Sequence, residues 1–211
     1  MKVLGIFAHR EDQIVFGWPI FQDRTIDRYL IICADDSDKR GQKPLQQSCD
    51  HEGIQLIKCL NFPNVFFQIT KQTNKISLKE IAEILQKVVA ETVNKVRPDY
   101  IFCHNPFGEY GHFDHRLVFE IIYNSFLNQS ILITDICAYS SGTLATRTIP
   151  RMWQGFYANS KKFGIVKPDH NFYKRNKAIY EQFEMWTGNQ YLNLPIYPKL
   201  AATIYELEAD V

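Results

Sequence analysis

The sequence predicts an α/β domain built on a mostly parallel sheet, and three observations predict it. Short apolar runs alternate with amphipathic stretches over most of the chain, the pattern of strands covered on both faces by helices. One long amphipathic stretch is enclosed by two such runs, a strand, helix, strand unit whose crossover is right-handed. Ionisable residues gather directly after two of the runs, and open α/β sheets carry their ligands outside the carboxyl ends of their strands.

Each element has its own signal. Lys2 to Phe7 is a continuous apolar run, followed at once by His9-Arg-Glu-Asp12. Arg28 to Ala34 reads as the second strand and ends in Asp35-Asp-Ser-Asp38, which suits a turn or a helix cap, or alternatively contacts to substrate hydroxyls. Pro44 to Glu52 reads as a short helix, with proline tolerated in the first turn and Gly53 ending it. Ile54 to Leu60 reads as a third strand, and Asn64 to Ile69 as a further extended piece. Ser77-Leu-Lys-Glu80 is a capping box that opens a helix running to about Val96. Its stripe, Leu78, Ile81, Ile84, Leu85, Val88, Val89, Thr92, Val93 and Val96, packs on the sheet while Lys79, Glu83, Gln86, Lys87 and Glu91 face water. Arg97-Pro-Asp99 stops it and a strand starts at Tyr100. Asp114 or a neighbour caps the next helix, which buries Val118, Ile121, Ile122 and Phe126 and ends near Asn128; Ile131 to Tyr139 reads as another strand. Past Ser141 the periodicity weakens. Residues 141–211 are expected to add substrate-side elements to a single domain spanning 1–211, with helical spacing over Lys174 to Trp186 and a loop carrying Pro195 and Pro198 to the end.

Composition narrows the function. With 24 basic against 23 acidic residues the net charge is +1, which leaves no electrostatic footprint for nucleic acid or an acidic membrane and points to a small or neutral partner. The apolar start is too short for a signal peptide, and no run approaches the roughly twenty apolar residues of a membrane span, so a cytoplasmic location is expected. The five cysteines are odd in number and lack a C-x-x-C pair, against a disulfide framework or zinc ribbon. Cys33, Cys103 and Cys137 read as small hydrophobes, with a catalytic thiol at Cys103 as the alternative.

The chemistry concentrates in His104-Asn-Pro-Phe-Gly-Glu-Tyr-Gly-His-Phe-Asp-His115, which holds three of the six histidines and two carboxylates. His112 and His115 are three apart and share one side of a first helical turn, where Asp114 can accept from a ring N–H and fix a tautomer. Taken alone the stretch also reads as a polar loop that caps the next helix. His9-x-x-Asp12 would converge on a metal from a strand-to-helix turn. With the two loops side by side, His9, Asp12 and His115 come within reach of one ion, and two histidines with one carboxylate and an open fourth position is the arrangement of a catalytic zinc. His51, His104 and His170 are expected to be surface or local hydrogen-bonding residues, with His104 close enough in sequence to line the pocket.

Ala8-His-Arg-Glu-Asp-Gln13 paired with Gly108-Glu-Tyr-Gly-His-Phe-Asp-His115 resembles the PIG-L/LmbE-like family of zinc-dependent N-acetylglucosaminyl deacetylases, whose motifs usually read A-H-P-D-D-E and G-H-x-D-H. The resemblance covers the two motifs and the strand order of about the first two-thirds of the chain. It implies a Rossmann-like three-layer sandwich, zinc (or iron) held by His9, Asp12 and His115, Glu11 as general base, His112 facing the oxyanion, and Asp114 orienting His112. The implied partner is an N-acylated amino sugar, free or on a glycoconjugate. Amide hydrolysis needs that set of groups: a Lewis acid, a base for the water's proton and a donor at the developing oxyanion. The chain departs from the pattern at Arg10, Glu11 and Gln13, and Arg40 and Gln46 or Gln47 are only loose counterparts of the family's sugar-binding arginine and glutamate. Those departures motivate an alternative, a metal-binding member with a binding or regulatory role and weak or no catalysis. Aromatics make up 14% of residues, and Trp18, Phe107, Tyr110 and Trp153 can stack on a sugar ring or belong to the core.

Overall fold

The computed structural model of the chain describes residues 1–34, 42–62, 77–126, 128–136, 157, 160–182 and 202–207. Its elements are β1 (Lys2–Phe7), α1 (Asp12–Val15), α2 (Trp18–Phe21), β2 (Asp27–Ala34), α3 (Gln42–Glu52), β3 (Gln55–Phe62), α4 (Leu78–Val96), β4 (Tyr100–Cys103), α5 (Gly108–Gly111), α6 (Phe113–Ser125), β5 (Ile131–Thr134), β6 (Lys161–Val166), α7 (His170–Gln182) and β7 (Ala202–Leu207). They form a Rossmann-like sandwich around one seven-stranded sheet of order β3-β2-β1-β4-β5-β7-β6. The first five strands are mutually parallel, and β7 runs antiparallel to both β5 and β6. The chain steps outward from β1 to β3 and then returns to place β4 on the other side of β1, so the switch point lies between β1 and β4.

Side-chain alternation divides the core into two layers. Leu4, Ile6, Ile31, Ile101 and Ile133 meet α4 and α6 on one face, while Val3, Phe7, Leu30, Ile32 and Leu132 meet α1, α2, α3 and α7 on the other. The Ser77 capping box is formed as the sequence predicts, with the serine side chain accepting from the Glu80 amide and the Glu80 carboxylate accepting from the Ser77 amide. Within α4 the buried stripe is narrower than the sequence predicts: Leu85 is buried, but Ile84 is 41% and Leu78, in the first turn, 44% exposed. Leu85→Ala is expected to lower the unfolding free energy by about 2–5 kcal/mol, and Ile84→Ala by at most about 0.5 kcal/mol, as read from urea denaturation. At the far end of α3, buried Glu52 accepts from Arg24 Nη2 (2.9 Å), Arg175 Nε (3.0 Å) and Asn176 Nδ2 (3.2 Å), which ties α7 to this layer.

Four expectations shift. The helix after the histidine-rich loop ends at Ser125 rather than near Asn128. It is capped by His112, whose backbone is extended (φ −65°, ψ 126°) and whose ring accepts from the Asp114 amide, leaving the Asp114 side chain for other work. The helix expected over Lys174 to Trp186 runs from His170 to Gln182. The last third also carries β6 and β7, not only a helix and a loop, because Ala202 to Leu207 inserts between β5 and β6 and completes both ladders. The strand after α6 is described as far as Thr134. The extended piece at Asn64 to Ile69, the acidic cluster at Asp35 to Asp38, Arg40, Cys137 and Trp153 lie outside the described residues.

Candidate metal centre and active site

Adjacent strands β1 and β4 deliver both motifs to one place. After β1 the chain turns into α1, with the Asp12 amide donating to the His9 carbonyl and Asp12 Oδ2 accepting from the His9 amide at 2.7 Å. After β4 the turn through α5 is built on left-handed backbone at Gly108 (φ +62°) and Gly111 (φ +87°). A Cβ on Gly108 would meet Arg116 Cγ at 2.9 Å, so the loop folds tightly onto the start of α6.

Three atoms from the two loops converge. His9 Nδ1 lies 3.1 Å from His115 Nε2, and Asp12 Oδ2 lies 3.3 Å from the first and 3.4 Å from the second. A zinc ion about 2.0–2.1 Å from each ligand atom of a tetrahedron separates those atoms by about 3.3–3.4 Å. The outer nitrogens of both rings are committed to carboxylates. His9 Nε2 faces Asp114 Oδ2 at 3.2 Å, and His115 Nδ1 faces Glu109 Oε2 at 2.7 Å. Each outer nitrogen therefore carries a proton, and the inner nitrogens face each other and the Asp12 carboxylate. Such a cluster calls for a cation at its centre, and the donor set suits zinc. Burial opposes a charged His9, but Asp12 and Asp114 beside it raise it well above its usual value, whereas burial lowers His115. In the metal-free protein that cation is thus a proton on His9. A metal must displace it, so zinc affinity is expected to rise about tenfold per pH unit across neutral pH, measurable by competition with a chromophoric chelator.

The remaining site residues frame this point. His112 stands with its ring 4.7 Å from that of His9 and 4.6 Å from that of His115, and the Asp114 amide donates to its Nδ1 at 3.2 Å. The sequence pairs the Asp114 carboxylate with His112; in the structure that carboxylate meets His9, and its Oδ1 is buried with no hydrogen-bond partner among the described residues. Burial and the neighbouring His115 and His9 push His112 down to about 4, so the ring is neutral with its proton on Nε2. Burial and then Asp12 raise the Glu11 carboxyl, as a base working near neutral pH requires.

Two residues were missed. His104 is not a surface residue: it is fully buried and stacks on His115 at 3.9 Å and 13°. Its Nε2 accepts from the Ala8 amide at 2.9 Å and its Nδ1 donates to Glu109 Oε2 at 3.0 Å. Asp12, His104 and His115 also lie close enough to hold an ion, but the amide occupies the His104 lone pair. Burial disfavours a charged His104, and Glu109 and Asp12 outweigh it and raise the ring to about 9, but the Ala8 amide directed at Nε2 leaves no place for a proton there, which makes the ring neutral. Glu109 is the second, buried among three N–H donors; a glutamate between two histidines of a glycine-rich turn was the available signal. By contrast His51 and His170 are exposed. Trp18 is core, Phe107 is half-buried and stacked on Tyr157, and burial pushes the Cys103 thiol up, away from nucleophilic reactivity. Gln46 is exposed and donates to Asp50, and Gln47 is exposed. Gln13 donates to the Tyr180 hydroxyl (3.1 Å), which donates to the Arg10 carbonyl (2.7 Å), so the departing Gln13 fastens the first loop to α7.

The histidine and carboxylate cluster thus lies at the switch point of the parallel part of the sheet. Several solved deacetylases share this fold. The zinc-inhibited form of teicoplanin deacetylase Orf2 matches with a TM-score of 0.64 at 8% identity, over 100% of this chain and 99% of its own. The antimicrobial pseudoaglycone deacetylase Dbv21 matches with 0.64 at 9% identity, over 99% and 98%. N,N'-diacetylchitobiose deacetylase from Pyrococcus horikoshii matches with 0.55 at 16% identity, over 89% and 73%. The chain shares the fold of these enzymes, the fold that the resemblance of its two motifs implies. No protein-family model and no curated protein matches the sequence.

Proposed function

We propose that the protein is a zinc-dependent hydrolase of the cytoplasm that removes the acyl group from the nitrogen of an N-acylated amino sugar or glycoconjugate. The observation that carries this reading is the convergence of His9 Nδ1, His115 Nε2 and Asp12 Oδ2 on one point. In this account His9, Asp12 and His115 hold the metal, which when bound supplies a Lewis acid for the amide carbonyl and for water. Glu11 takes the proton of the attacking water. Neutral His112 offers its Nε2–H to the carbonyl oxygen as negative charge develops there. Because His112 carries no second proton, Glu11 is the group that returns one to the departing amine, so water and amide give carboxylic acid and amine, which exchange a proton to leave carboxylate and ammonium. Asp114 orients His9. The domain is one unit, with residues beyond about 141 adding elements on the substrate side.

The fold shared with solved deacetylases supports the reaction class. No described helix is long and apolar enough to cross a membrane. Zinc-loaded protein is expected to release acetate from an N-acetylated amino sugar within a panel of free, nucleotide-linked and glycan-linked substrates. A fully loaded protein silent on the whole panel, and on simple acyl amides, would favour the binding or regulatory reading instead.

A further inference from the structure

Glu109 takes no direct part in the proposed reaction, yet it is buried, touches the second loop of the site directly and reaches the first through His104. Its Oε2 lies 3.0 Å from His104 Nδ1 and 2.7 Å from His115 Nδ1, and its Oε1 accepts from the Asn105 amide at 3.0 Å. The Asn105 side chain holds it in turn, with Oδ1 accepting from the Glu109 amide at 3.2 Å. Its backbone is left-handed at φ +58°, a conformation that a residue with a Cβ adopts at a cost and keeps where its surroundings fix it.

We infer that Glu109 is a positioning residue for both halves of the metal centre, setting through one carboxylate the tautomers of His115 and His104. The inference rests on the metal reading above. With both Nδ1 protons pointing at Glu109, both Nε2 atoms are lone-pair donors. On His115 that lone pair faces Asp12 and His9, as a metal ligand must. On His104 it receives the amide of Ala8, the residue before His9. One carboxylate thus aligns a ligand of the second loop directly and the backbone of the first loop through an imidazole. Without it His115 is at liberty to carry its proton on Nε2, a tautomer that cannot bind a metal.

Imidazole-nitrogen NMR of the metal-free protein at neutral pH, together with zinc titration, tests this. Wild type is expected to show His115 and His104 as Nδ1–H tautomers. Glu109→Gln should lose that state at His115 and weaken zinc about 10–100-fold, with Glu109→Asp recovering part of the loss. A merely structural role would not dictate the tautomer. Nε2–H at His115 in the wild type overturns the inference, as does a Glu109→Gln protein that keeps the wild-type tautomer and binds zinc within twofold. If Glu109→Gln does not fold, the wild-type spectrum and Glu109→Asp still decide. Wild-type protein that takes up no zinc overturns the hydrolase reading, and the tautomer at His115 then decides the Glu109 inference separately.

Discussion

The His115→Ala protein is expected to bind zinc more weakly by well over the 10–100-fold that accompanies loss of an outer-shell partner, and Asp12→Ala to behave alike. The magnitude follows from where the residue stands. His115 Nε2 is one corner of the converging trio, and its removal leaves His9 and Asp12 from a single loop as the remaining pair. The fold should tolerate the change incompletely, because His115 is buried between the Phe16 ring (5.4 Å) and the His104 ring (3.9 Å). Circular dichroism beside the zinc titration separates loss of the ligand from loss of structure. A His115→Ala protein that is folded and retains wild-type affinity would show that the second loop contributes no ligand.

Glu11→Gln is expected to keep its metal and lose turnover by about 10²–10⁴-fold. Glu11 belongs to neither group of residues placed to hold an ion, yet it adjoins Asp12. The exchange retains size and removes the basic oxygen. Burial and the Asp12 charge already raise its carboxyl, so its proton affinity suits accepting a proton from water and giving it up to an amine. Its extra methylene relative to the aspartate of the resembled motif makes Glu11→Asp a useful second variant. Undiminished turnover in Glu11→Gln would remove the base assignment and leave the metal assignment standing.

Patterns local in sequence were legible and those that depend on tertiary contact were not. The Ser77 capping box spans four residues and is formed as read. The parallel strands from β1 to β5 are dense apolar runs, while the placing of β4 beside β1, with two strands between it and β3, is set by the tertiary crossover. Strand β7 is six residues long and follows Pro195 and Pro198, so in sequence it resembles a terminal loop, and only its pairing with β5 and β6 makes it a strand. In the site, the convergence of His9, Asp12 and His115 was legible from residue type and position at strand ends. The outer partners were not. Asp114 lies two residues from His112 and its carboxylate reaches His9 instead, because the cap on α6 uses its backbone amide. Glu109 and His104 look polar and solvent-facing in a glycine-rich stretch; burial and the shared carboxylate arise only once the turn folds under α6. Gln13 looked like a lost acid and proves to be a tether to Tyr180.

The central claim is that two distant loops build one metal site. Elemental analysis of the wild-type protein, purified without chelator and without affinity-tag histidines, tests it most directly. The account predicts about one zinc or iron per chain, lost on dialysis against a strong chelator and restored by one equivalent of zinc. A protein that is metal-free as purified and takes up none when zinc is added would contradict it, and the likeness to the deacetylases would then extend to the fold alone.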